Sequence, residues 1–276
     1  MQNQAEGLTK RSPNVISTAS GKGGVGKTIA AVNLSVILVK RNYKVLLFDV
    51  DAGFANAEIL LGITPVKTLK DFFQRKESLE NIICKTRYGV DLISSGMDVD
   101  DLIMFNIEDK TNLYNHLQRI SSSYDYIVFD FPPGFKENIE RFYGTSDHLV
   151  LLTASEPTSL INAYTFVKVM AVKGIDPEGL HVVMNMITNM KEGRRILDRF
   201  VSVINRFVGT QVSSTHLMKY DNAVKKSVDK QKPFAASDHL IQPTLSLHRL
   251  ADEITKSHST PKMSFIDKIR SLFGFG

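Results

Sequence analysis

Residues 14–40 read NVISTASGKGGVGKTIAAVNLSVILVK, and this run restricts the possible folds more than any other part of the chain. A short apolar, β-branched segment (14–19) leads into a loop with glycines at 21, 23, 24 and 26. The apolar stretch Ile29–Lys40 follows directly and has the length of a helix packed on a sheet. The same alternation continues. Strands are predicted at 44–50, 89–96, 125–130, 148–154 and 181–186. Helices are predicted at 68–76, 111–121, 158–173, 192–207 and 239–256. Continuous apolar strands alternating with helices predict an α/β fold, with a mostly parallel central sheet and helices on both faces.

The glycine loop stands between strand and helix, where a phosphate cradle belongs. Residues 21–28, GKGGVGKT, fit G-x-x-x-x-G-K-[ST] and predict a P-loop nucleotide hydrolase. The cofactor-binding stretch is then Gly21, Lys22, Gly23, Gly24, Val25, Gly26, Lys27, Thr28 and Ile29. Glycines let backbone N–H groups turn toward phosphate. Lys27 reaches the β- and γ-phosphates, Thr28 offers its hydroxyl to Mg²⁺, and the following helix adds its positive end. Two apolar strands end in acids: VLLFDVD in Asp49 and Asp51, YIVFD in Asp130. Asp130 has the Walker-B pattern, a carboxylate delivered to a metal's hydration shell by a buried strand. The chain has no N-K-x-D segment of the kind that reads guanine, which favours ATP and ADP as the nucleotides.

Composition removes other classes. One cysteine, Cys84, allows neither an internal disulfide nor a CxxC cluster site and fits a reducing compartment. The seven histidines show no HExxH spacing. The first fourteen residues lack the apolar run of a secretory signal, and no run of roughly 20 apolar residues could span a membrane. The expected location is cytoplasmic. The net charge of +5 permits an anionic partner without requiring one.

The loop also carries an early lysine, Lys22. KGGVGKT, with Lys22, Gly23, Gly24, Gly26, Lys27 and Thr28, resembles the deviant Walker A of the MinD/ParA class of P-loop ATPases. DVDAGFANAEILLG (49–62) resembles switch I of MinD and of the FlhG (FleN, YlxH) family, and DFPPG (130–134) resembles their switch II, with Phe131 a departure. DNAVKKSVDKQKPF (221–234) is similar to a late helix and turn of the class. The resemblance implies that Lys22 crosses an ATP-dependent homodimer interface to the partner's nucleotide. It implies that Asn185 contacts adenine and that Asp51 orients the attacking water, with Asp49 its rival. Lys22, Lys27 and Asp51 are thus the expected catalytic residues, and Thr28 and Asp130 the metal-binding pair, the latter through water. NQAEGL (3–8) is similar to the D-Q-A-x-x-L-R leader of FlhG proteins, which implies contact with the FlhF GTPase through residues 3–9. The implied role is regulation of flagellar number and placement. The alternatives are a MinD-type division-site regulator and a ParA-type DNA-binding partition ATPase. DNA is not expected as a partner: the basic sets Lys225, Lys226, Lys230, Lys232 and Arg194, Arg195, Arg199 read as solvated helix faces.

The tail SFIDKIRSLFGF (264–275) places Phe265, Ile266, Ile269, Leu272 and Phe273 at offsets 0, 1, 4, 7 and 8, on one helical face. Ser264 suits the N-cap and Gly274 the stop. Lys262, Lys268 and Arg270 against Asp267 leave the tail net positive. This pattern predicts a helix lying in an anionic membrane surface, as the resemblance to MinD and FlhG also implies, with the protein peripheral on the inner membrane face. Docking on its own domain is the alternative. The expected organisation is a leader (1–12), an ATPase domain (13–255), a linker (256–263) and an amphipathic membrane-targeting helix (264–276).

Overall fold

The structure is a computed structural model that describes residues 12–51, 56–97, 106–135, 140–175, 177–256 and 263–273. The leader segment 3–9, most of the acidic stretch 97–101 and residues 257–262 of the linker lie outside them.

The strands are β1 (Asn14–Ser20), β2 (Val45–Asp49), β3 (Cys84–Lys85), β4 (Asp91–Ser94), β5 (Tyr126–Asp130), β6 (His148–Ala154), β7 (Gly179–Ile187) and β8 (Val212–Lys219). They form one sheet in the order β3-β4-β2-β5-β1-β6-β7-β8, parallel throughout except for the β3–β4 pair. The predicted α/β architecture is therefore present. Two strands, β3 and β8, are not among those predicted. β3 is only two residues long. β8, VSSTHLMK, lies at the sheet edge and is half-exposed along much of its length, so its polar alternation does not read as a buried strand.

One face of the sheet carries α1 (Lys27–Lys40), α2 (Asn56–Leu61), α9 (Asn222–Asp229), a 3-10 turn (Phe234–Ala236) and α10 (Gln242–Lys256). The other carries α3 (Leu69–Arg75), α4 (Leu79–Ile82), α5 (Ile107–Ser121), α6 (Glu140–Tyr143), α7 (Pro157–Val172), α8 (Met190–Phe207) and α11 (Phe265–Phe273). Each strand of the central sheet sends alternate residues to each layer: Val15 and Ala19 to one, Ile16 to the other. α1 is buried along most of its length, because it packs on the sheet while α10 and the 3-10 turn cover its back. Asn33 on α1 fastens that cover by accepting the Ala235 N–H at 2.8 Å.

The tail is docked on its own domain in this structure. α11 does form, with Ser264 accepting the Asp267 N–H at 3.2 Å as its cap. It does not stand free for a membrane: it docks on α5. Phe265 and Ile269 are 1% and 2% exposed and join the core with Leu113, Leu117 and Ile120, and Ile266 packs partly against them. The Phe265 N–H donates to Ser12 Oγ at 2.8 Å. The Lys268 ammonium pairs with the buried Asp147 carboxylate, which also accepts the Val15 N–H at 2.8 Å. The sequence pattern shows an apolar stripe, and the domain's own groove satisfies it as well as a lipid surface could. The side chains of Leu272 and Phe273 lie outside the described residues.

At the sheet's far end from the glycine loop, three histidines and a serine form a buried chain across β6, β7 and β8. His148 Nδ1 lies 3.1 Å from His181 Nε2, His181 Nδ1 2.7 Å from Ser214 Oγ, and Ser214 Oγ 2.8 Å from His216 Nε2. Burial, then His148 and His216, push His181 down to about 3. Burial, then Arg194 and Arg249, push His216 down to about 4. Between those values and the unfolded value near 6.5 the unfolded chain binds more protons, so stability rises with pH across that window. Stability is expected to hold above about pH 6.5 and to fall toward pH 4, by up to about 1.4 kcal/mol per unit for each histidine. Thermal melts at pH 7.5 and 5.0 check this. His181→Gln should shrink the difference between the two melts.

Candidate functional site: a phosphate loop over a row of buried acids

β1 and β5 are central, and their register decides the site. Thr18 pairs with Asp130, and Asp130 pairs with Asp49 of β2, so the three lie in one row across adjacent strands beneath the loop. Asp130 is fully buried. Its Oδ1 accepts Thr18 Oγ1 at 2.6 Å and the Lys27 ammonium at 2.7 Å. Asp51 Oδ2 lies 4.0 Å from the same ammonium. Asp49 is also buried and accepts the N–H groups of Asp51 at 3.1 Å and Ala57 at 3.2 Å. Burial, then the Asp130 charge, push its carboxyl up to about 8. Asp49 therefore spans the chain from Asp51 to Ala57, while Asp51 faces the cavity.

The loop closes over this row. Gly26 ends it at φ +90° with its Cα against the Asn185 amide, and α1 begins at Lys27. Gly21 lies against α7 so closely that a Cβ there would stand 2.3 Å from the Asn162 backbone carbon. Switch II folds back beside it, with the Gly134 N–H on the Ser20 carbonyl at 2.7 Å. The result is a cavity of about 270 Å³ lined by Gly23, Gly24, Gly26, Lys27, Thr28 and Asp51, and walled by Ile59 and Leu60 of α2, Pro133, and Val228 of α9. Ser20 Oγ beside the loop and Asp130 Oδ2 are buried without a partner. Hard oxygen donors below a phosphate cradle fit a Mg²⁺ hydration shell. Among the described residues no cluster of three or more His, Cys, Asp or Glu could hold a metal ion.

Lys22 takes no part in its own cavity. Its ammonium lies 3.0 Å from Glu156 Oε2 and 3.4 Å from Thr158 Oγ1, at the start of α7. Asn185 lies beside the loop. It donates its amide N–H to the Val25 carbonyl at 2.9 Å and accepts the Met186 N–H at 2.8 Å, so it braces the loop. Met186 at φ +58° allows that geometry. Phe131, the departure in switch II, is fully buried, stacks on Phe129 and meets Tyr143 edge-on, within an aromatic cluster. Thr18, Glu156 and Val228 were not legible as site residues: Glu156 reaches the site from distant sequence, and Thr18 and Val228, though inside recognised segments, hold no motif position. Of the basic sets, Arg194 bonds Thr215 and pairs with Asp198 on the solvent face of α8, as a solvated helix does. Cys84 is half-buried at the sheet edge, and burial raises its thiol pKa, so it is not a reactive centre.

This site, a lysine-bearing phosphate loop on a parallel sheet with a Walker-B carboxylate beneath it, defines a P-loop ATPase. The chain belongs to the AAA_31 family, described as an AAA domain, whose model matches residues 13–176. It is 29% identical over 218 residues to antiactivator FleN of Pseudomonas aeruginosa, covering 79% of this chain and 78% of that one. It is 28% identical over 224 residues to flagellum site-determining protein YlxH of Helicobacter pylori, covering 81% and 75%. Among solved structures it is similar to the MinD cell division protein of Aquifex aeolicus, with TM-score 0.70 and 20% identity over 91% of this chain and all of that one. It is also similar to MinD of Pyrococcus horikoshii complexed with Mg-ADP, with TM-score 0.67 and 22% identity over 88% and 96%. These structural likenesses establish the fold.

The two loop glycines make a test of the geometry. Gly21→Ala forces a Cβ into backbone, which costs about 1–3 kcal/mol of overpacking. The nucleotide-free protein should melt roughly 2–10 °C lower. Gly23→Ala meets only Pro133 at 3.7 Å and should melt within about 1 °C of the parent. Paired calorimetric scans check both.

Proposed function

We propose that the chain is a Mg²⁺-dependent ATP switch that dimerises on ATP, associates with the inner face of the membrane and regulates flagellar number and placement. The position of Lys22 carries this reading. Lys27 already supplies the cationic charge inside the cavity, and Lys22 is held outside it, on Glu156, at the mouth. A lysine so placed reaches a second molecule's phosphates more readily than its own, as an arginine finger acts in trans. The likeness to FleN and YlxH over about three-quarters of their lengths favours a flagellar role over a septal one.

In this reading ATP phosphates draw Lys27 from Asp130, which leaves Asp130 with Thr18 on Oδ1 and an unpartnered Oδ2 as acceptor. Thr28 and Asp130 would hold Mg²⁺, which when bound neutralises charge on the phosphates. Asp51, free to face the cavity, orients the attacking water, and Asp49 fixes the arc of chain that carries it. ADP lacks the phosphate that Lys22 would reach, and the dimer opens.

Membrane association then competes with the docked tail. Full burial of Phe265 and Ile269 stabilises the docked state by about 1.5–3 kcal/mol each. A lipid surface must replace that burial, together with whatever Leu272 and Phe273 add. One tail binds weakly, and two on a dimer convert the second insertion into an intramolecular step. No helix among the described residues is long and apolar enough to cross a membrane.

The first test is solution mass by light scattering on the Asp51→Ala protein with Mg-ATP and with ADP. A dimer with ATP alone, lost when Lys22→Ala is added, is the expected result; a monomer in every state refutes the switch. The second is flotation with phosphatidylglycerol vesicles at matched protein. Recovery should be several-fold greater with ATP than with ADP, and Lys268→Ala, which unpairs the docked tail from Asp147, should raise the ADP value. Equal recovery in all samples refutes the coupling.

A further inference from the structure

α9 has two working faces. Val228 on one side walls the nucleotide cavity. On the other, Ala223, Lys226, Ser227 and Lys230 follow the i, i+3, i+4, i+7 spacing of a single helical stripe and line a second cavity of about 240 Å³. The helix ends where Gln231, at φ +50°, reverses the chain, and the Lys232 N–H bonds back to the Ser227 carbonyl at 2.9 Å. That turn swings Lys232 to the rim beside Lys226 and Lys230. The floor is apolar: Pro233, Phe234 and Ile241 are all buried. It is also firmly held, since the next residue, Ala235, is bonded to Asn33 of α1.

The charge on the rim is one-sided. Lys226, Lys230 and Lys232 are exposed, and none has an acidic side chain within ion-pair distance among the described residues. Asp229 and Asp238 are neighbours in sequence but do not line the cavity. Three uncompensated cations around a recessed apolar floor select a ligand that brings both negative charge and an apolar group.

We propose that this cavity docks an acidic peptide segment of a partner protein, one that presents an apolar side chain between carboxylates. The apolar residue seats on Pro233, Phe234 and Ile241, and the flanking carboxylates meet the three lysines. A duplex phosphate backbone or a flat anionic bilayer would use the lysines and leave the recessed floor uncovered. An acidic peptide satisfies both halves of the site.

The test is fluorescence polarisation with the full chain. The probes are labelled, acetylated peptides with Phe, Leu, Ile or Tyr centred between pairs of Glu, and the same peptides with Gln for Glu. A labelled random-sequence duplex and phosphatidylglycerol vesicles complete the set. At least one Glu peptide should bind saturably, and its Gln version roughly five- to tenfold more weakly. The Lys226→Ser, Lys230→Ser double variant should lose a similar factor for the Glu peptide while keeping the parent's melting temperature and ATP binding. The proposal is overturned if no Glu peptide binds saturably, or if binding ignores the two lysine changes. It is also overturned if the duplex or the vesicles bind in a lysine-dependent way and the peptides do not.

Discussion

The Asp130 carboxylate, carried to the end of a fully buried central strand, is the constraint on which the nucleotide site rests. A buried charge of this kind is tolerated only when partners surround it. Thr18 and Lys27 meet that demand on one oxygen, and the other is left unpartnered. Lys27 is thereby drawn down from the loop, which sets where α1 starts. Asp49, next in the same row, feels the Asp130 charge and cannot ionise as easily. It turns its oxygens to the backbone of Asp51 and Ala57 instead. One carboxylate thus holds the loop lysine and keeps an unpartnered acceptor beneath the phosphate loop.

The same economy shapes the face opposite α1. Residues 130–147 run from the Walker-B carboxylate, through Phe131 in the aromatic cluster and Tyr143 of α6, to Asp147, which holds the tail through Lys268. Tyr143 is fully buried with its hydroxyl unpaired, and burial with the Asp130 charge raises its pKa far above the ordinary range.

Much of the ATPase was legible in the sequence. The strand, loop and helix of residues 14–40 specify their own structure, because glycine spacing, apolar length and the terminal lysine act over a few residues. The parallel sheet followed from strands apolar on both faces, such as HLVLLTA. Elements that depend on distant neighbours were less legible. β8 is a strand because β7 offers its edge, and its own alternation of Ser, Thr and His does not announce it. The bond from the Asn185 amide to the Val25 carbonyl joins positions 160 apart, and no local pattern announces it.

The tail draws the same boundary. Its sequence determined an amphipathic helix: the apolar offsets, the serine cap and the basic residues are local properties that any environment would respect. The groove that receives the apolar stripe in this structure was set by tertiary packing alone. α5 presents Leu113, Leu117 and Ile120, and Asp147 waits buried for a cation. Burial has no preference between lipid and protein for an apolar face. The sequence by itself therefore determined the phosphate loop, its acids and a helix with one greasy side. Only the folded domain, by supplying a groove with a matching buried charge, determined where that side goes.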